Sequence, residues 1–166
     1  MKMNKTGALL GVLIIGAWLA QTASAQIGRQ MPDEGQQHIS EGTPGKYGHY
    51  PPTSGPHWPR VAAWGMHDEE VPPEIWVHNL EHGGIVILYR CEIPCPDLIR
   101  QLSEAFQTFP KSKYGHVNLL ITLYSKLQGR LAILAWTWID EMLAFDRERL
   151  LRFYQAHVDK GPEDVP

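Results

Sequence analysis

Four histidines fall in two tight groups, and both groups have the residue types and spacing of a metal site. The first is His49-Tyr-Pro-Pro-Thr-Ser-Gly-Pro-His57. Its prolines fix φ and lower the entropy of holding a loop in one shape, which suits ligands that must be positioned in advance. The second is His78-Asn-Leu-Glu-His82. An i, i+4 pair shares one face of a helix and also one face of a strand. Met66 and His67 lie between the groups and would add a thioether and a fifth imidazole. An imidazole set without thiolates suits copper, zinc, nickel or iron. Copper heads the divalent affinity order, and a thioether from Met66 would favour Cu(I). Zinc, on three or four His with a water, is the alternative. The other histidines, His38, His116 and His157, stand alone and read as ordinary hydrogen-bonded side chains.

Glu81 gives the second group the form His-x-x-Glu-His, which matches an inverted zincin motif with Glu as general base. That motif needs a long helix. Here Gly83-Gly84 and a β-branched run follow at once, so no more than a helical turn fits. Glu81 can instead orient a ligand imidazole, act as acid/base in a metal-dependent enzyme, or join a buried His/Glu network without metal. The chain has no Gly-x-Ser-x-Gly elbow and no Gly-rich phosphate loop. With 15 Lys+Arg against 18 Asp+Glu it also lacks the basic excess of a nucleic-acid binder.

The elements that must hold these residues can be read around them. Residues 1–25 have the form of a signal peptide: Lys2 and Lys5, an apolar run from Ala8 to Ala20, then Ala23-Ser24-Ala25. The run is shorter than the roughly 20 residues of a spanning helix, so a cleaved leader is expected rather than a retained anchor. A periplasmic or secreted location follows. There Cys91 and Cys95 are expected to form a disulfide; a redox pair or thiolate site would more usually be Cys-x-x-Cys. Residues 26–46 are polar and glycine-rich and read as a flexible arm. Residues 47–164 read as one domain. Its proline-dense start excludes long helices and central strands, yet carries Tyr47, Tyr50, Trp58 and Trp64, so an ordered loop region is expected.

Beyond it, Glu74–His78 and Ile85–Tyr89 read as strands. A helix is expected from Pro96 to about Gln107, and another from Asp146 to about Val158. Val117–Tyr124 and Leu131–Trp138 read as a hairpin turning near Gly129. The order implies an α+β fold: a small antiparallel sheet, two helices on one face, and the His-bearing Pro/Gly loop region at one end. The expected partner is a transition-metal ion, with a periplasmic or membrane protein as recipient if the ion is handed on.

The strings His49–His57, Val77-His-Asn-Leu-Glu-His-Gly83 and Lys160-Gly-Pro-Glu163 resemble the bacterial and archaeal family of domain of unknown function 3105. Ala135-Trp136 and the helix start at Phe145-Asp146 resemble its C-terminal half. The likeness spans about Gly45 to Glu163. It implies an exported or membrane-anchored protein whose recurring histidines are His49, His57, His78 and His82, with Glu81 beside them. Met66, His67 and the cysteines lie outside the resembling strings.

Overall fold

The run Ile85-Val-Ile-Leu-Tyr89 is apolar at every position, the pattern of a strand covered on both faces. The computed structural model describes residues 27–166 and places that run at the centre of a six-stranded mixed sheet. In chain order the elements are β1 (Arg29–Gln30), β2 (Gly65–Met66), α1 (Pro73–Glu81), β3 (Ile85–Tyr89), α2 (Pro96–Phe106), β4 (Leu119–Leu123), β5 (Leu131–Ala135), β6 (Trp138–Met142) and α3 (Arg147–His157). The strand order is β1-β6-β5-β3-β4-β2. β3 runs parallel to β4 and antiparallel to β5, and β2 adds parallel to β4. The fold is α+β, as the element order implied, but the sheet is larger than expected and not purely antiparallel.

Two-residue alternation divides the core. Ile85, Ile87 and Tyr89, with Leu119, Ile121 and Ile133, meet Leu98 and Leu102 of α2 and Leu150, Phe153 and Tyr154 of α3. These are the two helices expected on one face. Val86, Leu88, Leu120 and Leu134 face the other way, against Ile75, Trp76, Val77 and Leu80 of α1. Each fully buried side chain of this size contributes about 1.5–3 kcal/mol. α3 begins where expected, with Asp146 Oδ1 accepting from Arg149 N at 3.0 Å.

Three local expectations are corrected. Glu74–His78 belongs to a helix, not a strand. α1 starts at Pro73, where a missing N–H costs nothing, and past its cap at His82 the chain turns away at Gly83, whose φ of +76° suits glycine. Every residue from Ile75 to Glu81 is buried; the polar face of Glu74, His78 and Glu81 turns into the protein rather than to water, and nine residues are too short a run to declare the helical period. Second, β4 and β5 do not form a hairpin, because β3 lies between them. The β3–α2–β4 crossover brings β4 beside β3 in parallel, and β5 takes the opposite edge. The hairpin is β5–β6, closed at Trp136-Thr137, with Thr137 at φ +58°. Third, the arm is tied down where described. β1 pairs with β6, Met31 N donates to Thr137 O at 2.8 Å, and Ile39 N donates to His57 O at 2.8 Å. Main-chain pairing of this kind leaves no hydrophobic pattern.

Cys91 and Cys95 form a disulfide in the link from β3 to α2. The leader lies outside the described residues. Among those described, no helix is long and apolar enough to cross a membrane.

Candidate metal centre

α1 supplies two side chains to one point. His78 and Glu81, three residues apart, share a face at the end of the helix next to the proline-rich loop. That loop brings His57, whose backbone is clasped on both sides by the arm: His57 N donates to Gln37 O at 3.0 Å and His57 O accepts from Ile39 N. The resulting parallel bridge sets His38 beside His57. Centroid distances between the rings of His38, His57 and His78 are 4.8, 4.9 and 5.0 Å, a nearly equilateral triangle.

Glu81 Oε2 lies 2.9 Å from His57 Nε2, 3.7 Å from His38 Nε2 and 3.8 Å from His78 Nε2. A tetrahedral ion with bonds of about 2.0–2.1 Å holds its donors roughly 3.3 Å apart. The three observed spacings straddle that value. One ligand atom from each of the four residues lies within 4.8 Å of the others. The Nδ1 atoms of two rings are already committed. His57 Nδ1–H donates to Gly55 O at 2.8 Å, and His78 Nδ1–H donates to Trp58 O at 2.8 Å. Both partners are carbonyls and can only accept, so Nε2 of each ring is the nitrogen left for the cluster. This is the way ligand imidazoles are oriented from outside the coordination shell.

The electrostatics agree. Burial lowers the His78 pKa to about 4, so its Nε2 offers a lone pair at neutral pH. Glu81 is 1% exposed, and burial pushes its carboxyl above the ordinary range, while His57 pulls in the opposite sense. With Nδ1 of His57 used, the 2.9 Å contact between His57 and Glu81 requires a shared proton. A cation at the centre of the cluster can take that proton's place.

The predicted residues separate into groups. His57, His78 and Glu81 converge. His38, read as ordinary, joins them. His49 turns away, with Nδ1 at 2.7 Å from Glu34 Oε1 and Nε2 at 3.2 Å from Thr53 Oγ1. Both of its ring nitrogens serve the loop. Met66, on β2, packs against the core on the opposite face of the sheet. His67 Nε2 donates to Ala63 O at 2.8 Å. The soft ligand that favoured Cu(I) is therefore not at the cluster. His82 belongs to an adjoining group with His78 and Glu163. His157 lies against Trp138 and Phe153, with Nε2 3.3 Å from Ile27 O. His38 carried no local signal, since its place depends on a bridge to a residue far along the chain.

The family described as "Protein of unknown function (DUF3105)" matches residues 38–166. The chain belongs to that family. The DUF3105 match begins at His38 and includes every residue of both groups. No curated protein and no solved structure matches the chain.

Proposed function

We propose that this protein binds one divalent transition-metal ion through His38, His57, His78 and Glu81. Copper(II) heads the divalent affinity order, and zinc, which takes imidazole and carboxylate ligands, is the alternative. The observation that carries the reading is the convergence of three Nε2 atoms on one buried carboxylate oxygen, with two of the rings fixed from behind by carbonyls. A carboxylate in the set and a neutral imidazole suit a divalent ion better than Cu(I). We place the protein in an exported compartment, a reading supported by the leader sequence and the Cys91–Cys95 disulfide. There it would hold, buffer or hand on the ion.

A second reading gives the ion a catalytic role. It is favoured by the 47% exposure of the His38 side chain, which leaves one side of the cluster open to water. Glu81 then acts as a ligand, because its oxygen lies at direct distance from all three rings rather than one water away. The test is metal content after purification from a medium holding several transition metals, followed by titration of the stripped protein. One equivalent bound, lost in His57→Gln and Glu81→Gln, is expected. Less than about a tenth of an equivalent, with none taken up on titration, would overturn it.

A further inference from the structure

The C-terminal string Lys160-Gly-Pro-Glu163 packs against the end of α1. Asp159 N donates to Gly83 O at 2.8 Å, and Glu163 N donates to Glu81 O at 3.0 Å. A Cβ at Gly161 would lie 2.1 Å from Glu81 O, so only glycine lets the strap approach this closely. Glu163 is thus held by the main chain of the very residue whose side chain enters the metal cluster. Its Oε2 lies 3.4 Å from His82 Nε2. His82 is stacked edge-on against His78, with ring centroids 4.6 Å apart. One ligand atom from each of His78, His82 and Glu163 lies within 4.8 Å of the other two. Among the described residues, His82 Nδ1 is buried and has no hydrogen-bond partner, an unusual state for a buried polar atom.

We propose that His82 and Glu163 form an outer position for the same ion, sharing His78 with the inner cluster. The ion then passes between solvent and the inner cluster under the C-terminal strap. The inference rests on the metal reading of the inner cluster. Because His78 Nδ1 is committed to Trp58 O, only Nε2 remains, and one lone pair serves one ion at a time. The two positions are therefore alternatives, occupied in turn. Exposure grades along this path: the side chain of Glu163 is 41% exposed, His82 15%, His78 10%, Glu81 1% and His57 0%; His38, the remaining inner residue, is 47% exposed and opens a separate approach to water. No electron moves. As the ion leaves the inner cluster, His57 and Glu81 take back the shared proton from water.

The experiment uses the full chain and the Cu(II) ion alone as probe. Stopped-flow quenching of tryptophan fluorescence reads capture by the stripped protein, and excess chelator reads release. In Glu163→Gln, capture and release are both expected to slow by about tenfold, a transit barrier raised by about 1.4 kcal/mol, so Kd moves less than either rate. Wild type saturates at one equivalent. His82→Gln should behave as Glu163→Gln does; if it melts early because it ends α1, the exposed Glu163 variant still decides. Release rates within about twofold of wild type overturn the outer position, even if capture slows, because simple charge attraction by Glu163 affects capture alone. Two equivalents in wild type overturn the sharing of His78. If wild type takes up no Cu(II), the inner metal site fails and this inference with it. Tight binding with unaltered release removes this inference only.

Discussion

At the scale of single residues, the site is a question of which imidazoles face Glu81. The sequence favoured His49 through its spacing from His57, and the structure spends both ring nitrogens of His49 on Glu34 and Thr53. A comparison of variants separates the two sets. His38→Gln is expected to lower Cu(II) affinity by at least about tenfold, and His49→Gln by much less; competition titration with a chelator of known affinity measures both. The reverse order would restore the sequence-based set. His57, His78 and Glu81 were legible because each lies in a short motif whose spacing and rigidity are local. His38 was not, because a single histidine in a polar stretch gains its meaning only from the backbone bridge to His57. His157 gives a pH prediction. Burial lowers its pKa, so the unfolded chain binds more protons at mildly acidic pH. Its stabilisation is complete above the unfolded value of about 6.5 and is lost as pH falls toward the folded value. Melting of the stripped protein between about pH 7.5 and 5.5 should therefore fall less steeply in His157→Phe than in wild type. Equal slopes would contradict it.

Among the elements, α1 does most to build the site, since it carries His78 and Glu81, is capped by His82, and buries Trp76 and Leu80. Its helical nature was hidden for a physical reason: nine residues with Trp76-Val77 at their centre, and a polar face spent on the site rather than on solvent, are too short a pattern to reveal a period. α2 and α3 have partly exposed faces, and the sequence showed them nearly to the residue. Strand pairing was less legible. A β-branched run announces a strand, but the choice between a hairpin and a crossover depends on what fills the space between, here β3. Two substitutions test these elements. Ile87→Ala, at the centre of β3, should cost about 2–5 kcal/mol in chemical denaturation. Gly161→Ala forces the strap off Glu81 O and should cost about 1–3 kcal/mol. A neutral result at Gly161 would mean that the strap is not seated on α1.

Across the whole molecule, the sheet and its two helical layers form a stable base, and the arm, the proline loop, α1 and the C-terminal strap meet at one end of it to enclose the cluster. Four chain segments converge there, so metal binding should couple to their order. At about 100 times Kd, one bound ion adds roughly 2.7 kcal/mol to stability, visible as a rise in melting temperature that chelator reverses. A buried His/Glu network without metal predicts no such rise. Reduction of Cys91–Cys95 should cost about 2 kcal/mol and leave metal affinity unaltered, since the disulfide lies in the β3–α2 link and contributes no residue to the cluster. The most direct measurement is pulsed electron spin resonance of the Cu(II) protein at one equivalent, counting coordinated imidazoles. Three are predicted, falling to two in His38→Gln and staying at three in His49→Gln. Failure to bind Cu(II), or loss of an imidazole on replacing His49 but not His38, would contradict the account.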